Sequence, residues 1–350
     1  MAFFWILIIM LFLIACASND KRKSINVLGG KGELHNLNNK RSNGELYDDE
    51  NIYFLVKLAT TCRGNSYVKL IKNEKVVANC NLPTCIHTDN QECEARAQFC
   101  YFEFGGKLYR FEDLGELIYE GSRDSRKCVY VQRRPDELKD DNASIGIGYV
   151  VVLDEEYAVI VSNHFAHIVD KQMNVVYTIT DLGKYQFEKI YNDHIYYVNN
   201  LEQLVEIDTV TWQAKIIETE NYITNPADDA YQSTEYFYYI TPTYKLHRYS
   251  LETGEDILLK EDFDSYFIGV YNGYLYSDQG CFKGAKKTIY DCNGELVKDV
   301  SNCEHLLLNY MVLVNGRLYS NYPLGIGENG FVIASINPDG SDYREYWLEE

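Results

Sequence analysis

The sequence predicts an all-β fold built from one repeated hairpin unit. Three observations lead there. First, the run GGKLY at 105–109 returns as NGYLY at 272–276 and NGRLY at 315–319, each a turn dipeptide opening an aromatic strand. Second, Tyr53, Tyr109, Tyr157, Tyr197, Tyr239, Tyr276 and Tyr319 stand 56, 48, 40, 42, 37 and 43 residues apart. Third, no long helical pattern interrupts the strands, and Tyr, which suits a half-buried pleated surface, occurs 31 times. A period of about 40 to 50 residues, each holding several short strands, is the signature of a β-propeller. One small sheet has two apolar faces, and packing such sheets radially covers both. The expected architecture is about seven four-stranded blades, with six or eight as neighbouring solutions. The Tyr anchors read as packing between blades rather than as a cofactor box.

Taken in order, residues 2–15 (AFFWILIIMLFLIA) are uninterrupted apolar. They fall short of the about 20 residues that span a bilayer and suit the core of an export signal. Leu13-Ile14-Ala15-Cys16 resembles the lipobox of bacterial lipoproteins, in which the chain is cut before a Cys that then receives lipid. Unlike that pattern, no Lys or Arg precedes the apolar run. The resemblance implies a signal peptide at 1–15, a lipidated Cys16 opening a flexible polar tether at 16–50, and a propeller domain at 51–350. It also implies membrane attachment through lipid on the extracytoplasmic side. From Asn51 the texture is strand and turn. Most repeats read as three strands, as in YAVIVS, HIVD and NVVYTI, or YFYYIT, KLHRYS and DILL.

The formal net charge of −19 argues against nucleic acid as a partner. The sharpest local signal is Cys80, Cys85, His87 and Cys93 in the spacing C-x4-C-x-H-x5-C. Three thiols and an imidazole can close a tetrahedral zinc site. Export favours disulfides instead: Cys80 with Cys85 or Cys93, and the odd thiol with Cys62 or Cys100. Free thiols are the third reading. Cys281 and Cys292 form a second candidate disulfide across a hairpin. No resident cofactor is expected beyond zinc or another metal at the cluster.

Catalytic signatures are missing: there is no G-x-S-x-G elbow, no H-E-x-x-H, no phosphate-binding Gly-rich loop and no EF-hand loop. His164 and His167 read as strand or turn residues rather than joint metal ligands. Asp154-Glu155-Glu156, Asp228-Asp229 and Glu261-Asp262 read as solvated loops in an acidic chain. No catalytic residue is assigned.

Lys75 to His87 with its Cys80, Pro83, Cys85 and His87, then Cys93 and Gly106-Lys107-Leu108-Tyr109, all behind the lipobox, resembles β-propeller lipoproteins of Gram-positive, clostridia-like bacteria. Their propellers are of the low-density-lipoprotein-receptor-like (YWTD) type or of unknown function. Here Arg110 follows Tyr109 where that group has a second Tyr. The resemblance implies a fold and a location and brings no activity. The expected function is therefore a surface binding or scaffold module for a protein, peptide or glycan, more readily than an enzyme. The alternatives are a glycan-active enzyme using carboxylates on the propeller face, and a metal- or redox-responsive protein using the cysteine cluster.

Overall fold

A computed structural model of the chain describes residues 35–36, 41–42, 46–47, 51–56, 66–71, 75–78, 100–111, 115–121, 126–138, 145–219, 222–227, 235–263, 265, 267–279, 285–308, 311–323 and 331–347. Among them, short strands form seven antiparallel sheets, a number inside the expected range of six to eight. A 3-10 turn at Asp136–Leu138 and the 3-10 residue Leu308 are the helical content of the described residues.

Three two-residue strands come first: β1 (His35–Asn36), β2 (Arg41–Ser42) and β3 (Leu46–Tyr47). The first sheet runs β1, β3, β4 (Asn51–Val56), β5 (Ser66–Ile71) and β6 (Val76–Ala78). The second is β7 (Cys100–Phe104), β8 (Lys107–Phe111), β9 (Leu117–Glu120) and β10 (Cys128–Val131). The third is β11 (Tyr149–Val152), β12 (Tyr157–Val161), β13 (Ala166–Asp170) and β14 (Val175–Ile179), with β2 added beside β11. The fourth is β15 (Leu182–Tyr191), β16 (His194–Asn199), β17 (Leu204–Asp208) and β18 (Ala214–Ile217). The fifth is β19 (Asn225–Pro226), β20 (Tyr236–Ile240), β21 (Leu246–Ser250) and β22 (Asp256–Lys260). The sixth is β23 (Phe267–Tyr271), β24 (Tyr274–Asp278), β25 (Lys287–Tyr290) and β26 (Leu296–Asp299). The seventh is β27 (Val312–Val314), β28 (Arg317–Pro323), β29 (Phe331–Ile336) and β30 (Arg344–Trp347).

Strand periodicity explains the ring. Successive side chains point to opposite faces of a sheet. On the third sheet Val150, Ala158, Ile160 and Val169 join a core with Phe102, Phe104, Tyr109 and Phe111 of the second. Their neighbours Tyr149, Val151, Val159 and Val161 join a core with Ile195, Tyr197 and Val205 of the fourth. The same alternation couples the fourth sheet to the fifth, the fifth to the sixth and the sixth to the seventh. The ring closes where Phe54, Leu70 and Val76 of the first sheet meet Val312, Val314, Ile333 and Tyr346 of the seventh. The chain folds as a β-propeller.

All seven Tyr anchors fall on one strand position, β4, β8, β12, β16, β20, β24 and β28, and a two-residue turn leads into β8, β16, β24 and β28. Tyr53, Tyr109, Tyr197, Tyr239 and Tyr276 are buried, so packing between blades is their role. The repeated dipeptides make the hairpins. Asn272 and Gly273 have φ of 51° and 79°, and Asn315 and Gly316 have φ of 50° and 78°. A two-residue turn with both φ positive matches the strand twist, and Asn and Gly adopt it at the least cost.

First strands of neighbouring sheets approach one another, β15 with β19 and β19 with β23, so these strands line the axis. Chain direction then sorts the connections into two faces. We label as narrow the face that carries the hairpins between first and second strands and between third and fourth, and as wide the face that carries the turns between second and third strands and the connections from one sheet to the next. β1 pairs with β3 and β2 with β11, and both lie beside β7. Residues from the stretch expected as tether thus run along the inner edges of the first three sheets.

Candidate functional site

The wide face between the fourth and fifth sheets carries a groove of about 580 Å³. Three pieces of chain build it. The turn from β16 to β17 supplies Glu202 and Gln203, the end of β18 with its outgoing connection supplies Ile216 to Thr219 and Tyr222, and the turn from β20 to β21 supplies Pro242 and Thr243.

Local hydrogen bonds set each piece. The Asn199 side-chain oxygen accepts from the amides of Leu201 and Gln203, both at 3.0 Å, and the Asn199 carbonyl accepts from Glu202 N at 3.0 Å. This fixes a tight turn in which Glu202 has a φ of 60°. The amide of Ile223 donates to the Glu202 carbonyl at 3.0 Å, which ties the connection behind Tyr222 to that turn. On the far wall Thr241 Oγ1 accepts from Lys245 N at 3.2 Å, and Tyr244 N donates to the Thr241 carbonyl at 3.0 Å. The frame is therefore rigid backbone, while the side chains above it are open. Leu201 is 65% exposed, Tyr222 64%, Tyr244 59% and Ile216 53%. Tyr222 and Ile216 line the groove itself, and Leu201 and Tyr244 adjoin its lining residues Glu202 and Thr243 in the chain; exposed apolar surface beside a groove marks an interaction site.

Charge is one-sided here. Glu202 and Glu218 line the groove, and among the described residues no Lys or Arg does, Lys215 beside Ile216 included. Lys245, in the turn that supplies Pro242 and Thr243, is held at 3.0 Å by Glu261.

The other singled-out residues fall elsewhere. His167 is buried on β13, its Nδ1 2.6 Å from the Tyr130 hydroxyl, and the Tyr130 hydroxyl donates in turn to Gln132 Oε1. Burial lowers the His167 pKa to about 4. A neutral ring with its proton on Nδ1 completes the chain from His167 to Tyr130 to Gln132. His164 is exposed and takes no part, so the two histidines do not act together. Asp154 accepts from Glu156 N at 2.7 Å and Tyr157 N at 2.8 Å, which makes it a turn former. Asp228-Asp229, Cys16, Cys80, Cys85, His87 and Cys93 lie outside the described residues. Cys292 is a free thiol and Cys281 lies outside the described residues. Among the described residues no three His, Cys, Asp or Glu side chains converge on a metal position, and no helix is long and apolar enough to cross a membrane.

Sequence reading missed several buried or half-buried polar groups. Lys287 is buried on β25 and its Nζ donates to the carbonyl of Leu306 at 2.6 Å and of Cys303 at 3.4 Å. Arg248 donates to the Cys292 carbonyl at 3.1 Å while its guanidinium lies 4.5 Å from the Tyr236 ring centre. His247 Nδ1 is 3.0 Å from Asp256 Oδ1, and Tyr239 donates to the other carboxylate oxygen. These partners are distant in sequence, and no local spacing announces them.

The molecule is thus a β-propeller with an acidic, partly apolar groove on its wide face. Among solved structures, the computationally designed Ika8 protein aligns with a TM-score of 0.51 at 8% identity, over 88% of this chain and 87% of its own. BamB from Moraxella catarrhalis aligns with a TM-score of 0.47 at 13% identity, over 88% of this chain and 94% of its own. The WD40 domain of Neurospora crassa Pan2 aligns with a TM-score of 0.43 at 10% identity, over 70% of this chain and 76% of its own. The likeness to Ika8 bears on the fold alone, and nothing rests on the other two. No family model matches the chain, and no curated protein matches it.

Proposed function

We propose that this chain is a membrane-anchored propeller lipoprotein that holds a protein or peptide ligand in the groove between its fourth and fifth sheets. The observation that carries the binding role is the groove lined by the exposed side chains of Tyr222 and Ile216, with exposed Leu201 and Tyr244 next to lining residues in its two turns. Rigid scaffolds with function on their loops are the usual economy of repeat folds. Anchoring is supported by the apolar run at 2–15 ending at Cys16. Attachment on the extracytoplasmic side and kinship with clostridia-like lipoproteins belong to the same reading.

The test of the binding role is photo-crosslinking in cells. A crosslinking residue at Leu201 or Tyr244 should capture a discrete partner. One at Val210, 79% exposed on the narrow face, should not. Equal capture from both faces, or none from the groove, would sink the proposal. Anchoring is read separately: Cys16→Ser should release the chain from the membrane fraction and abolish labelling by a fatty-acid probe.

A further inference from the structure

We infer that the groove's occupant is a cationic peptide segment, with Lys or Arg side chains next to aliphatic ones. The inference rests on the groove being the ligand site and names the chemistry that fits it.

Glu202 and Glu218 are both exposed, and neither carboxylate has an ion-pair partner. Beside them stand the ring of Tyr222 and the side chain of Ile216, both more than half exposed. Pro242 and Thr243 close the opposite wall and add no charge. A long cationic side chain matches this arrangement. Its methylenes lie on the apolar surface, its charge reaches a carboxylate, and an aromatic face offers the cation a second attraction. Arg and Lys are the residues with that shape.

The rest of the molecule pushes the same way. A net charge of −19 speeds the encounter with a cationic partner and opposes an anionic one. Lys245 is engaged by Glu261, so no cation of the neighbouring turn neutralises the groove. A backbone frame tied by the hydrogen bonds of Asn199 and Thr241 holds the acids in place before a ligand arrives.

The experiment uses the full chain and three fluorescent, acetylated hexapeptides: Gly-Lys-Leu-Lys-Leu-Gly, its Ser counterpart and its Glu counterpart. Anisotropy reads affinity, and a photo-crosslinking residue at Leu201 reads position. The Lys peptide should bind, crosslink at Leu201 and weaken as salt rises. Glu202→Lys with Glu218→Lys should weaken it about tenfold or more and admit the Glu peptide. Glu255→Lys with Glu295→Lys changes the net charge equally on the narrow face, and should alter affinity less than about twofold. If the Ser or Glu peptide crosslinks as strongly as the Lys peptide, the charge inference is wrong while the groove remains the site. If the narrow-face pair weakens the Lys peptide as much as the groove pair, binding is non-specific and the inference falls. If no peptide crosslinks, the groove reading falls with it.

Discussion

The two faces of the ring are made by the same sheets and solve opposite problems. On the narrow face nearly every turn satisfies itself. Asp170 Oδ1 accepts from Gln172 N and Asn174 N, both at 2.9 Å; Asp208 Oδ1 accepts from Val210 N and Thr211 N at 2.8 and 2.9 Å; Asp291 Oδ1 accepts from Asn293 N and Glu295 N at 2.8 and 2.9 Å. A carboxylate committed to its own turn has little left for a ligand. On the wide face, around the groove, the backbone is tied by the hydrogen bonds of Asn199 and Thr241, and Glu202, Glu218 and Tyr222 are left uncommitted. Firm backbone with uncommitted side chains is what a binding surface needs.

The strongest challenge to this contrast removes a tyrosine that bridges two sheets. Tyr276 is buried, and its hydroxyl donates to the Pro338 carbonyl in a narrow-face turn of the seventh sheet. Tyr276→Ala should cost about 3 to 5 kcal/mol in urea unfolding, whereas Tyr276→Phe should cost about 1 kcal/mol. A small loss for the alanine would mean the turns are not coupled across sheets.

Next comes pH. His167 has its pKa lowered from 6.5 to about 4 by burial. Below pH 6.5 the unfolded chain binds a proton that the folded chain refuses, so stability falls as pH drops from 6.5 towards 4 and levels off below. The full loss is about 3 kcal/mol. His167→Gln should flatten that part of a stability–pH curve, and a curve unchanged by the substitution would refute the assignment.

Lys287 tests the wide face. Its buried Nζ holds the connection to the seventh sheet through Leu306 and Cys303. Lys287→Ala should cost about 2 kcal/mol, with faster amide exchange in residues 300–308 and unchanged exchange in the narrow-face turns.

Asp291→Ala is the mildest case, about 1 kcal/mol, because water can replace an acceptor at an exposed turn. Peptide binding in the groove should be unaffected. A change there would show that the faces communicate.

How much of this was legible depends on how local each signal is. Asn272-Gly273 and Asn315-Gly316 were legible because a positive φ at two successive residues narrows the choice of residue sharply. The Tyr anchors were legible because they recur at a regular spacing on one strand position of each unit, β4, β8, β12, β16, β20, β24 and β28. The second, third and fourth strands of most units were legible as aromatic or β-branched runs bounded by turn residues. The first strands were not: β11 is apolar along its length, β19 is two residues long, and β15 carries irregular register against β16. Strands against the axis lack the solvent face that produces alternation. The pairing of β1 and β2 with inner edges was also hidden, since residues 17–50 carry little apolar pattern. The groove gave no sequence signal because Glu202, Tyr222 and Thr243 look like ordinary turn and connection residues until two sheets bring them together. The cysteine cluster, the loudest feature of the sequence, lies outside the described residues.

The seam between the seventh and first sheets has an evolutionary consequence. Among the described residues no strand is exchanged there: one sheet is β27 to β30 and the other β1 with β3 to β6. The two meet through Phe54, Leu70, Val76, Val312, Val314, Ile333 and Tyr346, side chain to side chain. Copying or excising one unit of the seventh-sheet kind would therefore cut no backbone ladder. It would change only the curvature that the remaining wedges must share, so the size of such a ring is free to drift over generations while each wedge keeps its own stability.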